Sequence, residues 1–217
     1  MPRDRRLLAL VALLAASALC VATVEIRTHE TGDSYYRFLV WNLILAWVPL
    51  VFAMAAYASA RRRLHLRVAA LLVPWLLFFP NAPYLLTDFI HLGDGPAPLW
   101  YDALMLSAFA WTGLLLGFAS LYLVQLIVRR AYGARVAWAG VLGALLLASV
   151  GVYIGRFIRF NSWDALLHPV RVLEVLNEQL SEVPARAAEA LVGLTGFLLV
   201  GYLVLYSFTD LELELDE

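Results

Sequence analysis

Asp88 and His91 lie one helical turn apart in Thr87-Asp88-Phe89-Ile90-His91, a spacing that puts a carboxylate and an imidazole on one helix face. Such a pair can work as general acid and base, or supply two ligands to one metal ion. Farther along the chain, Arg156 and Arg159 are again three residues apart and are followed by Asn161 and Asp164. Two guanidiniums at that spacing can hold an anionic headgroup, or pair with Asp88 or Asp102. A metal site would need a third donor from Asp102 or His168, and no spacing compels either one. The metal reading of Asp88 and His91 is therefore weak, and no cofactor is assigned. The sequence has no His-Glu-x-x-His, no Gly-x-Ser-x-Gly and no phosphate-binding Gly-rich loop.

The stretch that must position these groups runs from Phe78 to Asp102, where Pro80, Asn81 and Pro83 interrupt an apolar run that would otherwise continue as helix. After the interruption, Tyr84, Thr87, Asp88 and His91 share one face, with Leu85, Phe89 and Leu92 on the other. Freed backbone groups inside a bilayer need partners, and Asn81 is placed to be one. Asn42, between Trp41 and Trp47, is expected to bond a neighbouring helix. Asp102, after the turn Gly93-Asp94-Gly95-Pro96-Ala97-Pro98, stands where an N-cap would start the next helix.

Composition makes the bilayer the solvent. Of the 217 residues 63% are hydrophobic and only 15% charged, and the mean hydropathy is +0.78. All sixteen basic residues are Arg, and nothing in their arrangement suggests nucleic-acid binding. The single cysteine, Cys20, excludes an internal disulfide and any Cys-pair redox motif.

The expected fold is all-α, a polytopic membrane protein forming one integral membrane domain over 1–217. Its six spans are 7–24, 38–60, 66–92 broken at 80–83, 103–128, 136–155 and 190–208. Residues 25–37 read as a polar connector, and Gly151 and Gly155 form a small-residue edge for close helix packing. From His168 onward, Val172, Leu173, Leu176 and Leu180 oppose Arg171, Glu174, Asn177 and Glu178, the pattern of an amphipathic helix lying on the interface before the last span. Ala16-Ser17-Ala18 resembles a signal-peptide cleavage site, but Leu19 fills the position before Cys20 where a lipoprotein would need a small residue. The first helix is therefore expected to be retained.

Six spans put both termini on one side. Arg3, Arg5, Arg6, Arg61, Arg62, Arg63, Arg67, Arg129, Arg130 and Arg135 all fall on that side, which the positive-inside rule makes cytoplasmic. Arg27, Arg37, Arg156, Arg159, Arg171 and Arg186 then share the opposite, extracytoplasmic face with Asp88, His91, Asp94, Asp102, Asp164 and His168, and Asn81, Asp88, His91, Asp102, Arg156, Arg159, Asn161 and Asp164 form its expected working surface.

Trp41-Asn42-Leu43, Phe79-Pro80-Asn81-Ala82-Pro83-Tyr84, Thr87-Asp88, Trp100-Tyr101-Asp102 and Gly155-Arg156 through Asn161-Ser162-Trp163-Asp164 resemble the signature blocks of the bacterial family known as domain of unknown function 1361. The resemblance covers roughly Trp41 to Asp164. It implies a multi-pass protein of the bacterial inner membrane and carries no activity with it.

Three function classes fit these residues. In the first, Asp88, Asp102, Arg156, Arg159 and Asp164 form ion pairs that lock helix ends, with Asn42, Asn81 and Asn161 as structural polar groups and membrane lipids as the partners. In the second, Asp88 and His91 are catalytic and act on a lipid or anionic substrate. The third is a small-solute transporter built on the interrupted helix, although the other spans carry no ionisable residue for coupling.

Overall fold

The computed structural model describes residues 3–158 and 184–211. Among the described residues the secondary structure is helical, joined by short loops, with helices α1 (Arg3–Thr31), α2 (Phe38–Arg61), α3 (His65–Phe78), α4 (Asn81–Tyr84), α5 (Leu99–Tyr132), α6 (Ala134–Tyr153) and α7 (Pro184–Leu211). A 3-10 turn at Tyr35–Arg37 leads into α2, a 3-10 segment at Leu85–His91 follows α4, and a π turn at Ile154–Ile158 follows α6. Six helical runs are long and apolar enough to cross a membrane: Leu7–Thr31, Tyr35–Arg61, His65–His91, Leu99–Tyr132, Ala134–Arg156 and Ala188–Phe208. The protein is an all-α polytopic membrane protein.

The first span differs from the sequence expectation. Residues 25–31 continue α1 for two further turns instead of forming a connector, and the helix stops only at Gly32, whose φ of +71° is a conformation that glycine adopts without strain. The extension is stabilised by burial. Leu13, Cys20, Val24 and Arg27 recur at helical spacing on the face that α1 turns to the bundle, and all four are buried.

At the centre is α5, which touches α1, α2, α4, the 3-10 segment and α6, while α7 packs on α6. Two contiguous apolar clusters fill the interior. One lies where Cys20, Leu39, Leu85, Met105 and Phe109 meet, and the other is built from Trp75, Phe79, Leu121, Leu145, Leu198 and Tyr202.

Pro80, between α3 and α4, and Pro83, inside α4, lack backbone donors, and the chain passes through Phe79 and Pro80 before a single helical turn begins at Asn81. Asn81 Nδ2 donates to the carbonyl of Phe78 at 2.9 Å, satisfying a group that α3 leaves unpaired. This irregular backbone is seated deep among its neighbours. A Cβ at Gly113 would lie 2.5 Å from the carbonyl oxygen of Ala82, and one at Gly151 2.5 Å from Cγ of Pro80, so these closest approaches of α5 and α6 need residues without side chains. α4 and the 3-10 segment then carry Thr87, Asp88 and His91 to one end of the bundle.

Candidate functional site

Arg156, in the π turn that ends the α6 run, gathers the polar face of the 3-10 segment. Its Nη2 donates to Asp88 Oδ1, and Nε and Nη2 donate to Thr87 Oγ1 at 3.0 and 2.7 Å. Its Nη1 lies 3.4 Å from His91 Nε2, and its guanidinium carbon sits 4.5 Å above the ring centre of Tyr84. The four residues expected to share a face thus meet a single cation. Thr87 in turn donates to the Tyr84 carbonyl at 2.7 Å, which fixes its hydroxyl.

The Asp88 side chain is fully buried, and its second oxygen accepts from Asn42 Nδ2 of α2 at 3.2 Å. Both carboxylate oxygens are therefore engaged, one by a charge. Burying a carboxylate is tolerable only with such partners.

Asp102 differs from the expectation on two counts. Helix α5 starts at Leu99 after Pro98, so Asp102 lies inside its first turn and caps nothing. Its partner is Arg27, not Arg156: Nε of Arg27 donates to Asp102 Oδ1 at 2.7 Å, with Asp102 at 0% and Arg27 at 2% exposure. Arg27 Nη1 also donates to Asp33 Oδ2 at 3.0 Å, and the guanidinium carbon lies 4.3 Å over the Tyr36 ring. Arg27 was hidden in what reads as a polar connector. The available signal was its position one turn beyond Val24 on the stripe of Leu13 and Cys20.

Asp33, in the loop between the first two spans, accepts at Oδ1 from the backbone N–H of Tyr35 at 2.9 Å. That bond, then the Arg27 guanidinium, holds its carboxyl below the ordinary carboxylate range.

His91 and Asp94 form a more open group beside these two pairs. His91 Nδ1 lies 3.0 Å from the Tyr35 hydroxyl and 3.2 Å from Asp94 Oδ2, and Tyr35 donates to Asp94 at 3.4 Å. Tyr36 donates its hydroxyl to the His91 carbonyl, tying the start of α2 to the end of the 3-10 segment. With Arg156 donating to Nε2, the ring proton belongs on Nδ1, where Asp94 accepts it.

That network does not suit a metal on Asp88 and His91. The Asp88 oxygens are committed to Arg156 and Asn42, and a metal on Nδ1 would put an N–H on Nε2 facing the guanidinium. Among the described residues no group of three or more His, Cys, Asp or Glu is placed to hold a metal.

Arg159, Asn161, Asp164 and His168, with the expected amphipathic helix after them, lie outside the described residues. Elsewhere in the bundle, Gln125 Oε1 accepts from Tyr202 at 2.6 Å and Thr112 Oγ1 lies 3.4 Å from Cys20 Sγ, polar contacts between helices of the kind that membrane interiors favour.

The model of a family described as Protein of unknown function (DUF1361) matches residues 41–202, about three quarters of the chain. No curated protein and no solved structure matches it.

Proposed function

The chain belongs to the family described as Protein of unknown function (DUF1361), and from that premise, which carries no activity, we propose that its role is structural and surface-binding: a bacterial inner-membrane protein whose extracytoplasmic end is closed by two buried ion pairs and offers a polar surface to lipid or to a partner. The observation that carries this reading is the full engagement of the Asp88 carboxylate. A general base must be within reach of the proton it takes, whereas the Asp88 side chain is fully buried and both its oxygens face donors on other elements. The Asp88 pair joins α2, the 3-10 segment and the π turn, and the Arg27 pair joins α1, α5 and the following loop. Two clamps at one end fix the relative positions of helices that lipid alone would not order.

Orientation follows from the arginines. Arg61, Arg62, Arg63, Arg67, Arg129, Arg130 and Arg135 cluster at the helix ends remote from the clamps, which supports cytoplasmic termini and an extracytoplasmic polar end.

The test is a thermal unfolding series in lipid nanodiscs with Asp88→Asn, Asp88→Ala and Arg156→Gln. A clamp predicts that all three lower the melting temperature, and that Asp88→Asn, which keeps the Asn42 contact geometry, lowers it less than Asp88→Ala. Variants that melt like the parent would sink the structural role.

A further inference from the structure

We propose that Tyr35, Phe38, His91 and Asp94 form a binding site for the ammonium headgroup of a membrane lipid. The proposal rests on the membrane reading above and names the ligand chemistry of the open part of that surface. The three rings meet pairwise at steep angles: Tyr35 and Phe38 at 77° with centroids 5.8 Å apart, Tyr35 and His91 at 74° and 5.8 Å, Phe38 and His91 at 70° and 5.2 Å. Rings set steeply to one another make a corner whose walls present π faces and edges in different directions, the arrangement that suits a compact cation. Asp94 Oδ2 stands on the rim, within 3.4 Å of the Tyr35 hydroxyl and 3.2 Å of His91 Nδ1.

Charge complementarity selects the ligand. At this end, among the described residues, the guanidiniums of Arg27, Arg37 and Arg156 meet the carboxylates of Glu25, Glu30, Asp33, Asp88, Asp94 and Asp102, with Arg37 paired to Glu25 at 2.9 Å. Arg27 serves Asp102 and Asp33, and Arg156 serves Asp88, which leaves Asp94 with no arginine partner among the described residues. The aromatic rings divide the same way. Tyr36 carries Arg27 and Tyr84 carries Arg156, while the corner of Tyr35 and Phe38 carries no cation among the described residues. Among the described residues an anionic headgroup would meet a surplus of negative charge here; an ammonium would complete it.

Depth in the bilayer points to a lipid source. Tyr35 is 45% and the Asp94 side chain 52% exposed, so the corner is open. Trp41, one turn along α2 from Phe38, is exposed, as are Ile90 and Trp100 at the same end, an aromatic and apolar rim of the kind found at headgroup level. The two-carbon ammonium arm of an ethanolamine headgroup reaches such a corner from the lipid plane.

The experiment uses the full-length protein, delipidated in detergent, with bound lipid counted by native mass spectrometry. The probes are phosphatidylethanolamine, its N-acetyl derivative and phosphatidylglycerol, with free ethanolamine as a competitor. The expected result is a preference for phosphatidylethanolamine over both charge-altered lipids that free ethanolamine does not abolish at equal concentration. Asp94→Asn and Tyr35→Leu should each cut that preference by roughly threefold, the scale of one exposed cation–π contact. Equal retention of phosphatidylethanolamine and its N-acetyl derivative by the parent protein would overturn the proposal without reference to any variant. Displacement by free ethanolamine at equal concentration would overturn the lipid source. Because the readout is independent of which end faces the cytoplasm, failure of the topology and failure of amine recognition are separable.

Discussion

At the scale of single residues, the protein places carboxylates where bare ones could not exist and gives each a specific answer. Asp88 and Asp102 are both at 0% exposure, and each has an arginine from a distant part of the chain. Removing one member strands the other, a loss of about 3–5 kcal/mol in such pairs. Asp88→Ala should therefore cost far more than the double change Asp88→Leu with Arg156→Leu, which strands no charge. Unfolding in lipid by denaturant titration measures both, and additive losses would refute the pairing. Asp33 gives a pH dependence of known sign. Its carboxyl is depressed by the Tyr35 N–H and by Arg27, so its stabilising contribution is complete above the ordinary carboxylate value and is lost as pH falls through the lower, folded one. The melting temperature of the parent should drop more steeply below about pH 4 than that of Asp33→Asn, because only the parent has this carboxylate to protonate. Parallel curves would mean that Asp33 does not contribute to the linkage.

At the scale of elements, the interrupted run from His65 to His91 depends on its neighbours as much as on its own prolines. Pro80 and Pro83 forbid continuous hydrogen bonding, but the resulting turn fits only because α5 and α6 present Gly113 and Gly151 to it. Gly113→Ala would push a methyl to 2.5 Å from the Ala82 carbonyl, and Gly151→Ala one to 2.5 Å from Pro80. Each should cost about 1–3 kcal/mol by overpacking, and should also loosen the 3-10 segment that carries Asp88 and His91. Amide exchange across 85–91 would register the loosening; unchanged protection alongside a lower melting point would assign the cost to α5 or α6 alone. Gly140 and Gly143 have open space around them, so alanine there is the matched control.

At the scale of the whole molecule, the burial of the helices is uneven. Over its eighteen-residue apolar stretch α5 is 56% buried, against 11% for the corresponding stretches of the first and last spans, so α5 is the post and α1 and α7 are outer staves held by a few contacts. For α1 these include Arg27 with Asp102, Tyr101 donating to the Thr23 carbonyl at 2.8 Å, and Trp47 donating to Ser17 at 3.0 Å. The topology can be tested because Cys20 is buried and should be silent to a membrane-impermeant thiol reagent. In intact cells Ser34→Cys and Ala97→Cys should label from outside, whereas Arg62→Cys and Gly133→Cys should label only after the membrane is opened. The reverse pattern would invert the proposed orientation.

Hydropathy and Arg spacing were enough to read an all-α membrane protein with six spans, because a bilayer leaves a chain this apolar few alternatives and because period and length are local properties. The face shared by Tyr84, Thr87, Asp88 and His91 was legible for the same reason, since it lies within one short helical stretch. Pairing was not. Arg156 is 68 residues from Asp88 and Arg27 is 75 from Asp102. Which arginine reaches which carboxylate depends on how α1, α5 and α6 pack, and nothing in the local pattern encodes that choice. Arg27 reads from the sequence as an outward-facing connector residue, because a charge after an apolar run looks like the end of a span; only its burial against α5 reveals two more turns of helix. The grouping of Tyr35 and Phe38 with His91 and Asp94 is likewise tertiary, since it needs the first two spans and the third to meet at one end. A sequence reports what each segment can bury, and the packed bundle decides what each buried charge must face.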